Sequence, residues 1–135
     1  MRTCCCLMLL SALALQAQDK EIKKVTLQPT PMTSGEEMFK TYCATCHGPG
    51  GRGDGPAAEA LKRPPADLTQ LARKHDGKFP DAYVAAKLRS VDQPVHGSKE
   101  MPVWGPLLSS VSRNTAETQL RINNIVAYIG SIQAK

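Results

Sequence analysis

The chain has 135 residues, a formal net charge of +5 and only six aromatic side chains. That length holds one small domain, and so mild a positive balance with so few rings excludes a stacking platform for nucleic acid. Leu, Ile, Val and Phe make up 22 of residues 18–135, about 19%, at the edge of what a chain needs to fold on its own apolar bulk.

The chain opens with Arg2, then an almost wholly apolar run from Cys4 to Leu15, then small residues and the polar Gln18-Asp19-Lys20-Glu21. This order predicts a secretory signal peptide over residues 1–17, cut after Ala14 or Ala17, and hence export to a bacterial periplasm. A run of about a dozen residues is short of the roughly 20 that a membrane helix needs, so no stable span is expected after cleavage. Loss of Arg2 leaves a net charge of +4, from 16 basic and 12 acidic residues. Cys4, Cys5 and Cys6 leave with the segment, where cysteine acts as a small apolar residue.

Residues 18–33 are polar and aperiodic, with Pro29 and Pro31, and read as a linker or a strap on the surface. The domain proper is expected over residues 34–135. Thr33 with Glu36, or Ser34 with Glu37, forms a capping-box start for a helix running through Phe39 and Tyr42 to Cys43. Residues 48–56 hold five glycines and two prolines, which excludes a regular element. Short helices are predicted from Pro56 to Leu61 and from the capping Asp67 through Leu68, Leu71 and Ala72 to a stop before Gly77. Pro80 suits the first turn of a further helix, with Tyr83, Val84, Lys87 and Leu88 on one side.

Residues 91–113 carry prolines at 94, 102 and 106 and are expected to be irregular. The last helix is the plainest. Asn114 and Glu117 cap it, and Leu120, Ile122, Ile125, Tyr128, Ile129 and Ile132 mark its apolar side. No run alternates as a strand would. The class is all-α with long loops.

Cys43-Ala44-Thr45-Cys46-His47 has the C-x-x-C-H spacing of covalent haem attachment. Two thiols three positions apart at a helix end reach the two vinyl groups of one haem, and the histidine that follows falls under the iron. A thioredoxin-type pair would sit in a βαβ pattern, which is missing, and a zinc site would have to recruit His75 and His96. One haem c with its iron is therefore the expected cofactor, and it would supply the missing apolar bulk.

The second axial position has three methionines to choose from. Met38 shares a helix with Cys43, and Met32 lies in the polar stretch. Met101 follows His47 by 54 residues and precedes Pro102, in a stretch suited to hold a thioether over the iron. Met101 is the expected ligand, with His96 as its rival and an open position, as in a haem that binds a gas or peroxide, as the third reading. Gly48 to Gly53 also fits G-x-G-x-x-G, but a haem motif stands where a dinucleotide fold puts a strand, so that reading is discarded.

From Ser34 onward the chain resembles the class I cytochromes c. Gly35, Phe39 and Cys43 match the family's glycine, aromatic and first haem cysteine at four-residue steps, and Ile125 and Tyr128 match its C-terminal helix crossing. Met101-Pro102 resembles the distal-ligand segment. The resemblance implies a small cytochrome c fold of about five helices and a proximal histidine held by a proline carbonyl. Pro65 is the best match for that proline, with Pro64 and Pro56 as alternatives. It also implies one-electron transfer between redox protein partners without catalysis, as a free carrier or as a subunit of a larger oxidoreductase. Trp104 is expected beside the haem or in the core, and His75 as a solvated cation at a helix end. Arg52, Lys62, Arg63 and Lys99 form either a positive docking rim or plain surface.

Overall fold

The computed structural model of the protein describes residues 29–89 and 101–134. The signal segment, residues 18–28 of the polar stretch, His96 and Lys99 lie outside the described residues. Five α-helices occur among them: α1 (Gly35–Tyr42), α2 (Ala44–His47), α3 (Asp81–Arg89), α4 (Trp104–Ser110) and α5 (Thr115–Ser131). Three short 3₁₀ turns join them, at Ala58–Ala60, Leu68–Gln70 and Arg73–His75, and no strand is present among the described residues. The described residues are thus all-α with long loops, as the sequence predicts.

The helices start where the polar side chains dictate. Ser34, not Thr33, caps α1, its Oγ accepting from the Glu37 N–H at 3.1 Å. Asn114 caps α5, its Oδ1 accepting from the Glu117 N–H at 3.0 Å. Glu117 does not return the favour to Asn114. Its carboxylate turns one residue further back and accepts from the Arg113 N–H at 2.8 Å and from the Arg113 guanidinium. Those two donors hold the Glu117 carboxyl below the ordinary carboxylate range.

α1 crosses α5 at a glycine. A Cβ on Gly35 would stand 2.0 Å from the carbonyl oxygen of Asn124 and 3.1 Å from Cβ of Tyr128, so only hydrogen fits at the crossing. One turn on, Phe39 is fully buried and its ring lies 5.2 Å from that of Tyr128. Gly35→Ala must push the helices apart. It is expected to cost roughly 1–3 kcal/mol, in the range of overpacked cores, and to lower the melting temperature of the holoprotein by several degrees. An unchanged melting temperature would contradict this crossing.

The α5 stripe holds with one exception. Ile122, Ile125 and Ile129 are buried, but Leu120 is 41% exposed, and the residue buried in its place is Arg121, at 4%. A helix advances 100° per residue, so position 121, four before Ile125 and eight before Ile129, shares their side better than position 120 does. On α3, Val84 and Leu88 are buried as expected, whereas Tyr83 stands out at the surface.

The segment after residue 101 departs from the expectation of irregular chain. α4 forms there because Pro106 falls in the first turn, third from the start, where a helix has no use for the N–H that proline lacks. The helices expected from Pro56 to Leu61 and from Asp67 to a stop before Gly77 are only 3₁₀ turns, one in the first stretch and two in the second. Asp67 caps the earlier of those two by accepting from the Thr69 N–H at 2.9 Å. Gln133 ties this region to the end of α5, accepting from the Ala72 N–H at 2.8 Å and donating to the Leu68 carbonyl at 2.8 Å. No described helix is long and apolar enough to cross a membrane.

Candidate haem site

The chain stays nearly helical through the cysteine motif. The Cys43 N–H donates to the Phe39 carbonyl at 2.8 Å, closing α1, and the Cys43 carbonyl accepts from Cys46 at 3.2 Å and His47 at 2.9 Å, opening α2. Both thiols and His47 are thereby turned to one side, where they line a single cavity. Gly48, at φ 76°, ends α2 in a backbone conformation that favours glycine. The loop then folds back on the motif. The amides of Gly53, Gly55 and Ala57 donate to the carbonyls of His47, Cys46 and Thr45 at 2.8, 3.1 and 2.9 Å. These amides are consumed by the motif's own carbonyls, so the glycine run is a buttress and no phosphate cradle.

His47 is buried, and its Nδ1 lies 3.0 Å from the carbonyl oxygen of Ala66. A carbonyl only accepts, so Nδ1 carries the proton and Nε2 keeps a lone pair for a metal. Burial pushes the imidazole below its ordinary range, against the raising effect of the Ala66 bond. A neutral ring of fixed tautomer is the form that ligates iron. The acceptor is Ala66 and not Pro65, Pro64 or Pro56. The Pro65 carbonyl is packed on Gly53, 2.4 Å from where a Cβ would stand, so the next carbonyl along meets the ring. Pro65 and Pro64 serve as cavity wall instead.

The cavity measures about 260 Å³ and is bounded by Tyr42, Leu61, Pro64, Pro102 and Trp104 as well as the motif. A hollow this apolar suits an apolar group better than water. Met101 lines it too, and also borders a second hollow of about 40 Å³ shared with Cys43, His47, Leu68 and Leu88. The structure thus gathers Cys43, Cys46, His47, Met101 and Pro65 around one space. Met38 is elsewhere, fully buried, its sulfur 3.8 Å from Arg121 Nη1. Two thiols, an imidazole with a free nitrogen and a thioether beside an apolar slot are a donor set that fits haem c.

The rival readings of the cysteines lose ground on chemistry. Burial, and secondarily the neighbouring Cys46, push the Cys43 thiol up to about 12, whereas a thioredoxin-type redox pair needs a ready thiolate. His75 is exposed and stacks on Tyr83 at 5.7 Å, and no cluster of three metal-binding side chains occurs among the described residues. Trp104 is both wall and core, its ring 5.7 Å from that of Tyr42. Arg52, Lys62 and Arg63 are exposed, and Arg63 reaches the cavity rim.

Two walls go beyond the residues the sequence singles out for the site: Tyr42, whose ring directly precedes the first cysteine of the motif, and Leu61, the one large apolar residue in the stretch 48–67. Comparison with curated proteins and with solved structures gives no match. Residues 30–117, which include the cysteine motif, Met101 and every wall of the cavity, match the family model described as cytochrome c oxidase, cbb3-type, subunit III, and the chain belongs to that family of c-type cytochromes, whose haem serves electron transfer.

Proposed function

We propose that this chain carries one haem c, bound through Cys43 and Cys46 and ligated by His47 and Met101, and passes single electrons without catalysing a reaction of its own. The observation that carries this is the gathering of both thiols, the His47 ring and the Met101 thioether on one apolar cavity. When bound, haem supplies a one-electron Fe(III)/Fe(II) couple whose potential a thioether ligand raises. The protein's share is positional. α2 and the glycine loop fix the thiols, the Ala66 carbonyl orients His47, and Tyr42, Pro102 and Trp104 keep water away.

The chain is exported, its segment 1–17 acting as the signal, and it works in a bacterial periplasm. Its partners are redox proteins, and the family's description as an oxidase subunit favours a subunit that feeds a larger oxidoreductase over a free carrier. Mass spectrometry of the native protein is expected to show a chain lacking residues up to Ala14 or Ala17 and carrying one haem adduct. A redox titration is expected to give a single one-electron wave. An intact Met1 on a cytoplasmic protein would overturn the placement, and a chain without an adduct would overturn the haem assignment.

A further inference from the structure

Arg121 is an unusual core residue. It is only 4% exposed, and no carboxylate among the described residues pairs with its guanidinium at ion-pair distance. Its neighbour one turn back, Glu117, is hydrogen-bonded to Arg113 and meets Arg121 only through the attraction of its charge. What the guanidinium does grip is backbone. Nη1 donates to the Thr30 carbonyl at 2.8 Å and lies 3.5 Å from its hydroxyl, Nη2 donates to the Val111 carbonyl at 3.5 Å, and Nε is buried without a partner. A buried charge so placed is costly, and it persists only where something is gained.

The gain lies along the strap. Arg121 and Asn124, which donates to the Met32 carbonyl at 2.7 Å, pin residues 30–32 across α1 and α5. The Thr30 hydroxyl then meets the Tyr42 hydroxyl at 3.0 Å. Tyr42 is 7% exposed, packs on Trp104, and with it forms one wall of the cavity that holds Cys43, Cys46 and His47. The contacts form one chain, from Arg121 to Thr30 to Tyr42 to the cavity.

We propose that Arg121 and Thr30 are positioning residues of the redox site: they lock the Tyr42 ring in the cavity wall and so set the midpoint potential. This rests on the haem assignment above. Two effects act in one direction. A loosened wall admits water, which favours the more highly charged ferric state. Loss of the buried guanidinium removes a positive charge that opposes that state.

The test uses haem-loaded protein and reads midpoint potential, melting temperature and the near-infrared band of sulfur-to-iron charge transfer. Thr30→Val and Tyr42→Phe, which keep shape, are each expected to lower the potential and to retain the band. The double variant is expected to fall by less than the sum of the single ones, because both break the Thr30–Tyr42 contact. Arg121→Gln is expected to fall further still. A tenfold change in the ferric-to-ferrous ratio corresponds to 59 mV for a one-electron couple. Arg121→Lys, which restores charge, is expected to recover part of the drop. Potentials unmoved while melting temperatures fall would make the network merely structural and overturn the proposal. If Arg121→Gln does not load haem, the Thr30 and Tyr42 variants decide alone. Absence of the band from the wild type would instead overturn the axial pair, whatever the potentials do.

Discussion

The Cys43→Ala/Cys46→Ala double variant is expected to lose its haem entirely to acid-acetone, where the wild type keeps it and each single variant loses part. With one thiol left only the fraction of haem that has formed its single thioether bond resists extraction, and with neither thiol only the axial contacts hold it. The second half of the expectation concerns folding. The core proper is small: Met38, Phe39, Leu108 and Ile125 are its fully buried large side chains, and Cys43, Leu68, Leu88 and Trp104 pack around the cavities. Without a filling group the walls contributed by Tyr42, Leu61 and Trp104 lose their contacts on one side. A domain this size has only a few kcal/mol to spare. The apoprotein is therefore expected to show little helical signal by circular dichroism, with the signal restored only on covalent loading. A well-folded apo form would show that α1, α4 and α5 suffice by themselves. A haem adduct surviving in the double variant would remove the attachment site from residues 43 and 46.

How much of this was legible in the sequence depends on which physical signal each residue carries. The motif at 43–47 speaks through spacing alone, and the helix caps at Ser34, Asp67 and Asn114 through side-chain chemistry, so all were readable. Gly35 was readable only through the resemblance to the class I cytochromes c, whose glycine, aromatic and first haem cysteine it matches with Phe39 and Cys43. Other features depend on tertiary packing. The choice of Ala66 over Pro65 turns on a carbonyl pressed against Gly53, which local pattern cannot express. α4 was hidden by Pro106, since a proline inside the first turn and one that breaks a chain look alike in sequence. Arg121 was passed over because charge at a stripe position reads as solvated surface, whereas here backbone carbonyls of the strap and of Val111 receive it.

The axial pair is the feature that separates a carrier from a catalyst. Met101 is half-buried against the core, borders both hollows, and is followed after Pro102 and Val103 by the start of α4 at Trp104. That anchoring favours a thioether that stays in place in both oxidation states. Oxidised wild type is expected to show the weak near-infrared band of sulfur bound to ferric iron. Met101→Ala is expected to abolish the band, to lower the midpoint potential because thioether sulfur favours the reduced state, and to open the iron to carbon monoxide. Met38→Leu is the control. It keeps the volume of a fully buried side chain in the core, and is expected to leave the band untouched. His96→Ala, at a position outside the described residues, is expected to leave it as well. A Met101→Ala protein that keeps its band would pass the assignment to another sulfur. Rapid carbon monoxide binding by the wild type would leave the sixth position open, and a gas- or peroxide-binding protein would then explain the cavity better than an electron carrier does.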